Sequence, residues 1–248
     1  MLKRIAVLAM AAAVVGANAQ MFNDFEAGTV GSAYGFQPPN FSGSTSGNMA
    51  ATPNIHDVVA GWSGNTTQVG HFGFAFIDAQ TTRWVRITTF NAPGLPNPTV
   101  DLTQFLVFDI FSTVDLQLAV GIRETGSNVA VGANGGSANG IEWVSNAPLN
   151  ASGAPGGQII TAGSWHTVAI NLAAPPFIRP FAGSTADGIL SAANNRGVLE
   201  HLAVTSLGNA GPYDVYVDNF QMSPVPEPGT MAALGLGAIA LAFRRRRR

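Results

Sequence analysis

The chain has no cysteine, which rules out disulfides, thiolate metal ligands and a cysteine nucleophile. Charge is scarce too, at 10% of 248 residues, and the only lysine is Lys3. Between the two ends the basic residues are Arg83, Arg86, Arg123, Arg179 and Arg196, against 13 of the 14 acids, a net charge of −8. Such a surface disfavours polyanions, nucleic acid first among them, and is more compatible with neutral polysaccharides or divalent cations. His56, His71, His166 and His201 are scattered, with no H-x-H or H-E-x-x-H pair for zinc, and no G-x-S-x-G elbow occurs. No stretch between the ends carries a persuasive helical period.

The two ends carry the clearest signals. Lys3 and Arg4, the apolar Ile5–Val15 and the Ala17-Asn18-Ala19 site have the layout of a secretory signal peptide. Signal peptidase cutting after Ala19 would leave Gln20 first, a residue able to cyclise. At the other end Val225, Pro226, Glu227 and Pro228 precede an apolar run from Met231 to Phe243. Arg244, Arg245, Arg246, Arg247 and Arg248 close the chain. As a helix Gly229–Phe243 would rise roughly 22 Å, short of a ~30 Å hydrocarbon core unless the bilayer thins locally. The terminal arginines are expected to stay cytoplasmic. This three-part layout resembles the PEP-CTERM sorting tail of bacterial exported proteins. The resemblance implies an exosortase that reads the tail and removes it near the Pro-Glu-Pro motif. It also implies transient insertion in the inner membrane and a final place on the cell surface or in the extracellular matrix of a bacterium. A permanent anchor is the alternative.

Three parts follow: a signal peptide at 1–19, one domain at 20–222 and a tail at 223–248. The domain is dense in turn formers, the chain holding 29 glycines and 15 prolines, and its apolar stretches are short and β-branched or aromatic. That pattern predicts an all-β fold. Strands are predicted at Met21–Glu26, Val69–Asp78, Arg83–Phe90, Gln104–Phe111, Leu116–Arg123, Ile141–Val144, Trp165–Leu172, Val198–Ser206 and Tyr213–Met222. Phe72, Phe74 and Phe76, like Leu116, Leu118, Val120 and Ile122, alternate with smaller or polar residues at the period of a strand. Pro38–Gly64 and Gly126–Gly140 are expected to be loops, and Ser184–Asn195 a short helix or a loop. The expected architecture is an antiparallel β-sandwich of the jelly-roll type. The opening Phe22-Asn23-Asp24-Phe25-Glu26-x-Gly28 and the closing Tyr216-Val217-Asp218-Asn219-Phe220 resemble the first and last strands of jelly-roll carbohydrate-binding modules. Arg123–Gly126, Gly140–Val144 and Gly197–Leu202 are similar to segments of exported bacterial jelly-rolls.

Strand alternation puts Asp218 on one face with Tyr216 and Phe220, opposite Val215 and Val217, a costly place for a carboxylate without a partner. If first and last strands are neighbours, Glu26 comes close. In the modules the chain resembles, such acids help hold a structural Ca²⁺, which implies Glu26, Asp218 and Asp24 as ligands. The other reading is a carboxylate bonded to a turn or an arginine. Sugar-binding faces expose aromatic rings to the C–H patches of a pyranose. Trp62 and Trp143 border the two polar, glycine-rich stretches and are the expected platforms, with Trp84 and Trp165 expected in the core. Glycoside hydrolysis needs two facing carboxylates. Glu124, Glu142 and Glu200 are the available residues, but no tight acidic motif places a pair on one strand, and Glu200 and His201 are expected on opposite faces. The expected function is therefore a non-catalytic surface or matrix protein that binds neutral glycans. The alternatives are a structural matrix protein without a ligand, or a glycan-active enzyme.

Overall fold

The computed structural model describes residues 20–89, 97–124 and 140–224. The signal peptide and the sorting residues Val225–Pro228 and Arg244–Arg248 lie outside the described residues, as does the expected loop at 126–140 apart from Gly140. The described residues form strands β1 (Gln20–Asn23), β2 (Met49–Trp62), β3 (Asn65–Phe76), β4 (Trp84–Thr88), β5 (Thr99–Asp101), β6 (Gln104–Ser112) and β7 (Leu116–Glu124). They continue with β8 (Ile141–Ser145), β9 (Gln158–Ile160), β10 (Trp165–Asn171), β11 (Phe177–Ala182), β12 (Arg196–Ser206) and β13 (Tyr213–Pro224). One antiparallel sheet runs β10-β6-β13-β3-β2 with β1 on β13; the other runs β11-β8-β7-β12-β4 with β5 on β12 and β9 on β7. They pack face to face as a jelly-roll β-sandwich.

The interior is built from the predicted alternations. Phe72, Phe74 and Phe76 of β3 meet Leu116, Leu118, Val120 and Ile122 of β7 in one cluster, joined by Phe25, Phe36, Phe108 and Phe220. Phe108 and Phe220 stack at 4.8 Å between ring centres. The Phe25 ring lies over bare backbone, since a Cβ on Gly70 would stand 2.4 Å from it.

Four strands escape the hydrophobic pattern. The largest is β2, inside the expected Pro38–Gly64 loop. It is an edge strand, its residues are mostly half-buried or exposed, and Pro53 falls where the register with β3 shifts. An edge tolerates such a sequence, because only one side of the strand is paired. Ser63 and Gly64, both at positive φ, close the β2–β3 hairpin between the paired Trp62 and Asn65, as a two-residue turn requires. The strands β5 and β9, of three residues each, are too short for a period to show, and β11 carries Arg179 and Pro180 among its apolar residues. Ser184–Asn195 is a loop ending in a single 3-10 turn at Ala193–Asn195.

Candidate functional site

The interior cluster contains no tryptophan. All four lie on the outer faces of the sheets, two on each: Trp62 is exposed as expected, whereas Trp143 is buried and Trp84 and Trp165 stand outside the interior core, which corrects the expectation for these three.

On the outer face of the first sheet, backbone pairing lines up Trp165, Phe111, Tyr216, His71 and Asp57 across β10, β6, β13, β3 and β2. Trp62, at the hairpin tip, lies over this row. Its ring stacks on Tyr216 at 4.2 Å and 13°, and meets Phe111 edge-on at 6.2 Å. The Trp165 indole N–H donates to the Trp62 carbonyl at 3.3 Å. Trp62 remains 37% exposed, and Tyr216 covers one side of its ring, so the open part faces away from the sheet. On the far side of Tyr216, His71 stacks at 4.6 Å. Its two ring nitrogens lie 2.9 Å from Asp57 and 3.1 Å from Asp214. An imidazolium donates to both carboxylates at once, a neutral ring to only one. Burial, with repulsion from Asp214 and Asp57, pushes the Tyr216 phenol up to about 12, so the ring stays neutral.

Asp218 is fully buried beside this row. Its Oδ2 accepts from Asn65 Nδ2 at 2.8 Å and from the Thr67 hydroxyl at 3.3 Å, and its Oδ1 from the Asn219 backbone N–H at 2.8 Å. Burial still raises it, and its neighbour Asp109 adds to that. Phe220 does not share its face. Asn219 takes a positive φ at a bulge after Asp218, which turns Phe220 into the interior with Val215 and Val217. Glu26, by contrast, is exposed and accepts from the Gln68 backbone N–H at 2.6 Å, while Asp24 caps the Glu26 N–H at 3.2 Å. These three acids form no common cluster, and no group of three or more metal-binding side chains occurs among the described residues. Glu26 accepts from a backbone N–H of its own, Asp24 caps another, and Asp218 is engaged by Asn65, Thr67 and Asn219, so no set approaching the six to eight oxygens that a calcium ion wants is assembled here.

Trp143 anchors the outer face of the second sheet, fully buried rather than exposed. It packs on Phe181 at 4.5 Å and on Trp84 at 5.8 Å. Below it Gly121 leaves room, since a Cβ there would stand 2.8 Å from the indole. The Arg86 guanidinium lies 5.1 Å over Phe181 and touches the His201 ring at 3.2 Å. Glu200 forms a two-pronged pair with Arg123, through Nε and, at 2.8 Å, through Nη2. Glu200 also approaches His201 at 3.3 Å, against the expectation of opposite faces, because a register shift in β12 falls between Leu199 and His201. Burial alone would raise Glu200, but bonds from His201 and Arg123 hold it down to about 2.

Glu124 and Glu142 do come together, at the ends of β7 and β8, and both are buried. They tie down the loop that follows β11. Glu142 Oε1 accepts from the Asp187 N–H at 2.7 Å, and Glu124 Oε1 from the Ser191 N–H. This pair is thus bonded to the protein's own backbone. Nothing in the sequence pointed to that loop as their partner.

Residues 224–247 match the PEP-CTERM protein-sorting motif. The motif is a signal for export and sorting to the cell envelope. No curated protein matches the chain. Among solved structures, the chain is similar to the family 11 carbohydrate-binding module of cellulosomal cellulase Lic26A-Cel5E of Clostridium thermocellum. That match has 14% identity, covers 86% of this chain and 98% of the module, and has a TM-score of 0.48. The Clostridium thermocellum family 11 module in complex with a β-1,3-1,4-mixed-linked tetrasaccharide is similar at 14% identity, with 86% and 99% covered and a TM-score of 0.47. An exo-β-agarase is similar at 15% identity over 84% of this chain but 25% of its own length, with a TM-score of 0.40.

Proposed function

We propose that the protein is a non-catalytic binder of neutral glycans at the bacterial cell surface or in the extracellular matrix. An exosortase would process its tail after transient insertion in the inner membrane. The observation that carries the binding role is Trp62, an exposed indole held flat on Tyr216 and tied to Trp165. A ring fixed in this way offers a π face to a pyranose at little cost in side-chain entropy. The strands of the first sheet carry Asp57, Asp109, Asp214 and Asp218 and no arginine or lysine. That favours hydroxyl-rich, uncharged ligands over anionic ones.

A second reading rests on Trp62 covering the small cluster of Val69, Phe111 and Tyr216, which is a packing role. Affinity electrophoresis against a panel of neutral polysaccharides separates the two. Trp62→Ala and Trp165→Ala are each expected to weaken binding about fivefold or more, the loss of a hot-spot aromatic, with the melting temperature little changed. If the wild-type protein binds none of the panel and Trp62→Ala only lowers the melting temperature, the structural reading stands.

A further inference from the structure

A groove of about 360 Å³ lies at the edge of the second sheet, away from the Trp62–Trp165 face, between the 149–151 turn and β11. Its lining includes Leu149, Asn150, Phe177 and Arg179, and its volume is in the range of small-ligand sites. Phe177 is 37% exposed. Arg179 is the unusual member. Its guanidinium donates only to backbone carbonyls, that of Pro180 at 3.4 Å and that of Gly153 at 3.0 Å, and its Nε–H is buried with no acceptor. Two of five N–H donors are therefore in use.

Three other arginines on or beside this sheet have carboxylates to answer them. Arg83 pairs with Asp78, Arg123 with Glu200, and Arg86 feels the charge of Glu200. Among the described residues no carboxylate contacts Arg179, and burial alone acts on its ionisation, downward. A half-buried cation left without a counter-ion, in a body with so many spare acids, is a cost that a ligand carboxylate would relieve.

We infer that this groove binds a sugar bearing a single carboxylate, a uronic acid residue, with the acid group on Arg179 and the ring against Phe177. The acidic surface at large repels long polyanions, but at physiological salt that repulsion is screened beyond ~8 Å, so one charge seated on Arg179 is tolerated. The site is independent of the Trp62 platform and stands or falls separately from it.

The test is isothermal titration of the protein with D-galacturonate, D-galactose and acetate at pH 7. Galacturonate is expected to bind saturably, and more weakly as salt is raised. Arg179→Gln is expected to weaken it at least about tenfold, the usual scale for removing one partner of a hydrogen-bonded charge pair. Arg179→Lys keeps the charge and should retain part of the affinity, which separates a binding role from loss of folding in the glutamine variant. Phe177→Ala should weaken galacturonate but not acetate, and Trp62→Ala should change nothing. Galactose or acetate binding as well as galacturonate would overturn the inference. So would no detectable galacturonate binding, or wild-type affinity in Arg179→Gln.

Discussion

Replacing Glu124 by Gln isolates the electrostatic cost of a carboxylate that the fold forces inward. Burial raises Glu124 from 4.5 to about 7; the Ser191 N–H pulls the other way, while Glu142 and Asp187 push it further up. Between those two values the folded chain keeps a proton that the unfolded chain releases. The contribution of this group to stability is therefore full below pH 4.5, declines as pH rises, and is lost above about 7. At 1.36 kcal/mol per pH unit, the whole span is worth about 3 kcal/mol. Glutamine cannot ionise, yet its amide oxygen can still accept from Ser191. The stability of Glu124→Gln minus wild type should thus grow from near zero at pH 4.5 to about 3 kcal/mol at pH 8. His201, which burial holds below its ordinary value, slopes the other way, but it is common to both proteins and cancels in the difference. Glu200 loses its contribution only below pH 4.5, outside this window. Urea denaturation of both proteins across pH 4.5 to 8 measures the difference directly. A difference that stays flat with pH would refute the reasoning and place the Glu124 carboxylate in water.

Trp143→Ala should destabilise the fold by ~3–5 kcal/mol in urea, as for any large buried aromatic, and a change below 1 kcal/mol would mean that the second outer face is open. The melting temperature should not respond to calcium or to a chelator, since Glu26, Asp24 and Asp218 form no common cluster. A rise in melting temperature with calcium that Asp218→Ala abolishes would mean that these residues rearrange around a cation. Replacing Arg244–Arg248 with serines should impair retention and processing of the tail, read from the size and location of the secreted protein; unchanged size and location would count against a sorting role.

How far the sequence could be read depended on whether each residue answers to its own strand or to another one. Phe72, Phe74 and Phe76 answer to the pleat of β3, and period 2 found them. The strand β2 answers to its position at the edge of a sheet, which a local pattern does not encode. Asp218 was rightly singled out as a carboxylate in need of partners, but these are Asn65 and Thr67, more than 150 positions away. The bulge at Asn219 and the register shift before His201 each reversed a face assignment, because alternation holds only while the ladder is regular. Trp143 was misplaced for a related reason. A polar flanking sequence suggested exposure, whereas Phe181 and Trp84, from two other strands, cover it.

The placement of tryptophan and arginine together divides the work of the two faces. Phenylalanine fills the interior without a polar atom, whereas an indole buried there would carry an N–H in need of an acceptor. On the first face that acceptor is found, the Trp62 carbonyl serving Trp165, and the bond fixes the platform. On the second face the Trp143 N–H has none. The charges split the same way. Arg86, Arg123, Arg179 and Arg196 all lie on strands of the second sheet, and Arg83 immediately precedes one, while the strands of the first sheet carry four aspartates and no arginine or lysine. An uncharged glycan therefore meets no electrostatic penalty on the first face, where an acidic one would. On the second, Arg179 is a cation that no carboxylate contacts among the described residues.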